Sequence, residues 1–460
     1  MNLLQRTLVW ILVSVLLLYA IRHFLTRGNE SAETPPFPQE LVQRIEELER
    51  KIQLQNDRLE RLQNRPQNAV VRGRRIELEK NRANKTVGAK GNEWQKPIAV
   101  LIFVCDRAAA LKAQLKKLTA FRPSRSRFPI IVSHDCEKPE VANVARSFGE
   151  EVEYLKQDPK GKAKFRIPPE HKHFKSYYLI SRHYRLGLSY VFEQRGFDSV
   201  IILEDDLDVS ADFFEYFAGT RWLLDADPSL FCVSAWNDNG RPSLIDLTAH
   251  SAVYRSDFFP GLGWLMTRKL WSELGAQWPD GFWDDWIRDP ARRKGRSCIR
   301  PEISRTAMTA FGKKGASQGL FFNYYLKKIH LNDVPVNFTA HDQSFLLKAN
   351  YDREFLAHVY RLPEINAQTA RNLKTKSGEY RISYRDMPHY TSIAKSLKMM
   401  ADTKAGVPRT AYLGVVSAFV KGNRVFLAPK DHERWTGYDV QWSAPADVLS
   451  PIDKENEEDP

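Results

Sequence analysis

From Pro97 to Asp206 the chain alternates short apolar runs with amphipathic stretches, and few folds accommodate that rhythm. Ile98–Val104, Phe128–Ser133, Glu151–Leu155 and Ser199–Leu203 read as strands; Ala108–Phe121, Pro139–Phe148 and Ser176–Gln194 read as the helices between them. Strands separated by helical crossovers pair in parallel. The spacing therefore predicts an α/β fold with a mostly parallel sheet and helices on both faces. The last of these strands closes on Glu204-Asp205-Asp206. Open α/β sheets bind ligands at the carboxyl ends of their strands. Three acids there repel one another unless a hard divalent cation or a hydroxyl-rich ligand shares the charge. Taken alone, the triplet also reads as a solvated turn.

At 460 residues, with 43% hydrophobic residues, 11 Trp and 25 Phe, the chain has material for a large core and appendages. The formal charge of +13 does not point to nucleic acid, because basic residues are scattered among acidic ones. The densest basic stretch, Lys160, Lys162, Lys164, Lys172 and Lys175, reads as a solvated surface loop.

The apolar run Leu8–Ile21 is followed by no small-residue cleavage pattern, so it reads as an uncleaved membrane anchor. Arg6 and the amino terminus on one side nearly balance Arg22 and Arg27 on the other, which leaves orientation open. Leu41, Ile45, Leu48, Ile52, Leu59 and Leu62 then recur at heptad spacing, a seam for a weak homodimeric coiled coil or a single amphipathic helix. Residues 65–95 are polar and read as a tether. Asn84-Lys-Thr and Asn337-Phe-Thr are glycosylation sequons. Four cysteines without a CxxC argue against zinc and for two disulfides in a secretory compartment. Cys105 and Cys136 follow the first two strands, whose parallel pairing brings them together and leaves Cys232 with Cys298; the plainer reading is four buried thiols.

Five segments carry a resemblance: Leu203-Glu-Asp-Asp-Leu207, Ser234-Ala-Trp-Asn-Asp-Asn-Gly240, Phe258-Phe-Pro-Gly-Leu-Gly-Trp264, Phe282-Trp-Asp-Asp-Trp286 and Arg300-Pro-Glu-Ile-Ser-Arg-Thr306. In this order they resemble the N-acetylglucosaminyltransferase I family, glycosyltransferase family 13, over about residues 97–442. The resemblance implies a GT-A nucleotide-sugar domain with a smaller C-terminal α+β domain. It implies UDP-GlcNAc as donor, one Mn²⁺ bound with it, and inverting transfer in β-1,2 linkage to the α-1,3-linked mannose of a high-mannose N-glycan on glycoproteins. It implies a Golgi, single-pass type II protein whose catalytic part is lumenal. The alternative is the related protein-O-mannose β-1,2-N-acetylglucosaminyltransferase family, which shares the second and third motifs but has a second Glu where Asp205 stands. Thr306–Gly312 is one residue longer than the family pattern, and Ala316 stands where Val is usual.

The expected layout is a tail at 1–6, a transmembrane signal anchor at 7–25, a stem at 26–95 with its heptads at 41–62, and a catalytic domain at 96–319. A linker at 320–340, a C-terminal domain at 341–445 and a polar tail at 446–460 complete it.

The resemblance assigns Asp206 to the metal, Asp205 to the donor ribose or sugar, and Glu204 to the GlcNAc hydroxyls. It gives Asp135 and His183 contacts to uracil or ribose, and Arg107 a contact to the donor. The plainer readings are an Arg107–Asp135 ion pair and a satisfied core histidine. Inversion needs a base opposite the leaving UDP, and Asp284 is assigned that role with Asp285 as fallback, since adjacent acids point in different directions. Trp283 and Trp286 offer faces for a sugar or for the core. Ser317, in the glycine-rich stretch Phe311–Gly319, is assigned to the donor phosphate; without the resemblance that stretch is an ordinary flexible loop. A glycoside hydrolase would also use two carboxylates, but a triplet closing a parallel strand fits it poorly. A carbohydrate-binding module would need neither Asp206 nor Asp284.

Overall fold

The computed structural model describes residues 96–158, 167–314, 320–432 and 436–440. The expected anchor, the stem heptads, Asn84, Lys160, Lys162, Lys164, Ser317 and the tail 446–460 lie outside them.

Four strands run parallel at one side of an eight-stranded sheet: β1 (Ala99–Val104), β2 (Ile130–His134), β3 (Val152–Lys156) and β4 (Ser199–Glu204). A short β5 (Leu207–Val209) follows the acidic turn; β6 (Leu230–Ser234), β7 (Val253–Ser256), β8 (Trp264–Thr267) and β9 (Ser297–Pro301) complete the sheet. The order is β3-β2-β1-β4-β8-β6-β9-β7, with β8 and β7 antiparallel to their neighbours. Beside the sheet, β5 pairs antiparallel with β10 (Thr306–Met308). The chain is thus α/β with a mostly parallel sheet, as the alternation predicts.

Both faces of β1 are buried, and its residues alternate between two cores as the period of a strand requires. Val100, Ile102 and Val104 join Leu111, Leu115 and Leu118 of α1 (Ala108–Phe121) on one side. Those helical residues recur at three- and four-residue steps, while Lys112, Lys116 and Lys117 face solvent. The helix α2 (Pro139–Ser147) and the helix α4 (Phe213–Thr220) cover the same face. Ala99, Leu101 and Phe103 face the other core, against α3 (Lys175–Ser189) and α5 (Arg268–Leu274). Beyond Ser189 the expected helix continues only as a wider π turn, Tyr190–Gln194. Gly187 lets α3 lie close to β1, since a Cβ there would sit 2.6 Å from the Phe103 ring. That approach stacks Tyr184 on Phe103 at 4.1 Å and sets His183 edge-on at 4.8 Å.

Both expected disulfides are present. Cys105–Cys136 joins the loops after β1 and β2. Cys232–Cys298 joins directly opposed residues of the parallel neighbours β6 and β9.

Past residue 340 a three-stranded sheet forms from Glu379–Tyr384, Asn423–Pro429 and Val416–Val420, backed by the helix Met387–Ser396. It is stitched to the main sheet in both directions. Leu244 and Phe258 enter its core, while Leu346, Tyr351 and Tyr412 enter the main one. Buried Arg255 of β7 donates to Asp227 and to the Leu346 carbonyl, each at 2.8 Å, and lies over the Tyr412 ring. Phe338, in the segment expected as a linker, packs so closely on Gly219 that a Cβ there would meet its backbone at 2.6 Å. Asn337 is exposed. Among the described residues no helix is long and apolar enough to cross a membrane.

Candidate active site

The sheet brings most of the sequence-derived site residues to the carboxyl edge of β1, β2 and β4. Glu204 ends β4 opposite Phe103 of β1, and Asp205 and Asp206 occupy the turn into β5. The turn is held from both sides. The Gln114 amide donates to the Glu204 and Leu207 carbonyls at 2.7 Å, and Thr309 donates from its amide and hydroxyl to the Asp206 carbonyl at 2.8 Å.

Arg107, just after β1, does not pair with Asp135. Its guanidinium takes Asp205 in a two-pronged ion pair, reaches Asp206 Oδ2 at 2.8 Å and donates to the Phe311 carbonyl at 3.2 Å. Asp206 Oδ1, by contrast, is buried with no hydrogen-bond partner. A buried carboxylate oxygen left so costs free energy unless a cation faces it. Asp206 therefore fits a hard divalent ion, with Arg107 holding its other oxygen. Cys105, Asp135 and Cys136 also cluster, but the two sulfurs are joined to each other and offer no thiolate.

Burial, then the neighbouring Asp206, pushes the Glu204 carboxyl up to about 7 against the opposing pull of Tyr184 and Arg107. Tyr184 donates to Glu204 Oε1 at 2.8 Å; burial and Glu204 keep its phenol protonated. Burial likewise pushes Asp205 up to about 7, while Asp206 and Asp205 together overcome burial to raise Arg107. The two tendencies conflict. The two-pronged geometry favours the ionised pair.

Asp135 follows β2, and His183 Nδ1 lies 3.3 Å from its Oδ1 while Nε2 sits 2.9 Å from the Ser133 hydroxyl. Burial drives His183 down to about 3 and Asp135 up to about 6. His183 is thus a neutral, buried histidine touching a carboxylate at the strand edge. It satisfies the core reading and still lies beside the position expected for a nucleotide.

Asp284 and Asp285 occupy the first turn of α6 (Trp283–Arg288). One nitrogen of Arg288 holds both, at 2.8 Å and 2.9 Å, and Lys404 adds a contact to Asp285 at 3.3 Å. Although burial opposes it, Arg288 and Lys404 lower Asp285, which weakens it as a base. Asp284 adds, after burial and nearer groups, to the negative field that raises Glu204 and Tyr184. Trp283 belongs to the core, stacked between Tyr184 at 4.3 Å and Trp278 at 5.8 Å. The sequence reading passed over Tyr184, Gln114 and Arg288. Only Arg288 left a signal, four residues after Asp284 on one helix.

A mostly parallel α/β sheet with clustered acids at its carboxyl edge marks a ligand-binding fold of the doubly wound kind. The GNT-I family model matches residues 5–442, and the chain belongs to that family. The alpha-1,3-mannosyl-glycoprotein 2-beta-N-acetylglucosaminyltransferase of Arabidopsis thaliana is 37% identical over 348 residues, 73% of this chain and 75% of that protein. Two solved structures that it matches are far more distant than that relative. A mannosyltransferase of Pyrobaculum calidifontis in complex with GDP-Man and Mn²⁺ is 14% identical, covering 49% of this chain and 61% of that one at a TM-score of 0.31. A Mycobacterium tuberculosis glucosyl-3-phosphoglycerate synthase with Mg²⁺ and UDP is 13% identical, covering 49% and 77% at a TM-score of 0.32. Such TM-scores add nothing to the fold read from the sheet itself.

Proposed function

We propose that this chain transfers N-acetylglucosamine from UDP-GlcNAc, with inversion, in β-1,2 linkage to the α-1,3-linked mannose of a high-mannose N-glycan. Membership of the GNT-I family and the Arabidopsis relative support the activity. The observation that carries the site is Asp206, whose buried Oδ1 has no partner beside the Arg107 guanidinium.

Asp206 would hold one Mn²⁺, which when bound supplies charge for the departing diphosphate. Arg107, tied to Asp205, adds a fixed positive charge at the same edge. Glu204, steadied by Tyr184, and Asp205 accept hydroxyl hydrogen bonds from the donor sugar and ribose. Asp135 and His183 take the uracil end, and Ser317 the phosphate. Asp284 removes the proton from the attacking mannose hydroxyl; Arg288 orients its carboxylate. GT-A architecture, a Golgi location and a type II anchor at 7–25 belong to the same proposal by family membership, and stem pairing rests on the heptad spacing at 41–62.

The test is incubation of the full chain with UDP-GlcNAc, Mn²⁺ and a five-mannose N-glycan. One added HexNAc, lost with chelator, is expected. Transfer to an O-mannosyl peptide alone would move the chain to the related family, and transfer to neither would overturn the reading.

A further inference from the structure

Beside α6 five rings from two distant stretches of chain gather. Phe282 lies at the centre: stacked on Tyr177 at 5.0 Å and 19°, and edge-on to His171, Phe174 and Tyr178 at 5.5 to 5.8 Å. Phe282 is the residue before the helix that carries Asp284 and Asp285, so the cluster begins where the acids begin.

Three features separate it from ordinary core. It is open: Phe174 is 45% exposed, and Tyr177 and Phe282 are half-buried. It is strained: Phe282 has φ +52°, a left-handed conformation that a bulky side chain adopts at a cost. That backbone sends Trp283 into the core and leaves the Phe282 ring among the outer aromatics. It also continues into the catalytic groups, since Asp284 and Asp285 both raise the Tyr177 phenol, after burial, and Tyr177 sits two helical turns before Tyr184, the partner of Glu204. Rings edged by carboxylates and phenols suit a sugar, whose C–H faces stack while its hydroxyls find polar partners.

We propose that Phe174, Tyr177 and Phe282 form a stacking subsite for acceptor mannose residues adjoining the one that reacts. The subsite rests on the transferase reading above and extends it to a part of the acceptor that undergoes no chemistry. Recognition there sets glycan affinity and leaves donor binding alone, because the rings adjoin the start of α6, which carries the proposed base, whereas Arg107 and Asp206 pair with each other after β1 and β4.

The test compares the full chain with Phe174→Ala and Phe174→Tyr, using a five-mannose glycan and a simple α-mannoside as acceptors. Phe174→Ala should raise KM for the glycan about tenfold, with KM for the mannoside and for UDP-GlcNAc within about twofold and Tm unchanged; Phe174→Tyr should restore the glycan KM. Equal effects on the two acceptors, or none, would overturn the subsite. Should the wild type transfer to neither acceptor, the transferase reading fails and saturation-transfer NMR with the glycan decides separately. Ring-to-glycan transfer lost in Phe174→Ala supports the subsite; transfer absent or unchanged removes it.

Discussion

Arg107 and Asp206 meet through one oxygen only: the guanidinium lies 2.8 Å from Oδ2, and Oδ1 is buried and unmatched. The arginine already neutralises part of the acidic turn, so the protein can fold around these carboxylates with no divalent ion present, and one oxygen of Asp206 stays open to the proposed metal.

Asp206→Ala should therefore abolish metal-dependent transfer without unfolding the chain. A loss of about a hundredfold or more in kcat/KM is expected, with little change in Tm, because Arg107 keeps its two-pronged pair with Asp205. A mutant that retains transfer would remove Asp206 from the metal.

Asp284→Asn and Asp285→Asn should separate sharply. The first should lower kcat by about 10² to 10⁴ with UDP binding intact, as expected for loss of a general base. The second should cost less than about tenfold, since Asp285 is already occupied by Arg288 and Lys404. The reverse ranking would make Asp285 the base.

His183 gives the fold an acid-sensitive element. Its folded pKa of about 3 lies below the ordinary 6.5, so the unfolded chain binds the extra proton first. Its contribution is complete above 6.5 and is lost as pH falls from there towards 3. Between pH 7.5 and 5 the wild type should lose about 2 kcal/mol more than His183→Gln. Thermal melts at both pH values check this, and parallel losses would contradict it.

Replacing both Cys232 and Cys298 with Ser should lower stability by about 2–5 kcal/mol. The bridge joins paired strands and closes a 66-residue span that carries α6. Denaturant melts of the variant and of oxidised wild type, both with Cys105–Cys136 intact, check this; an unshifted midpoint would leave the bridge without a structural role.

The first four strands were legible because each is a short apolar run bounded by a helix of clear period, and α1 falls on its expected residues, Ala108–Phe121. The insertion of antiparallel β8 between β4 and β6 was not, since strand order depends on pairings far apart in sequence. In the site, the Glu204–Asp206 triplet stood out by its place at the end of an apolar strand, while the roles of Arg107, Asp135, His183 and Asp284 came from the family resemblance. Tyr184 and the ring cluster were not: Tyr177 and Phe282 meet across more than a hundred residues, and nothing in a phenylalanine's neighbours announces a left-handed backbone. Trp283 was legible only as an aromatic, and its partners on both faces assign it to the core.

Arg255 ties completion of the main sheet to residues synthesised much later in the chain. A chain leaving the ribosome has β1 to β4 in hand once residue 204 is out, yet Arg255 of β7 gains its last partners only when Leu346 and Tyr412 arrive. Until then Arg255 has Asp227 but neither the Leu346 carbonyl nor the Tyr412 ring, and the nascent sheet keeps an open apolar flank, the state in which chaperones hold large domains and aggregation competes. Truncations from the carboxyl end that remove Tyr412 should therefore fail at the stage of folding, well before any question of catalysis arises.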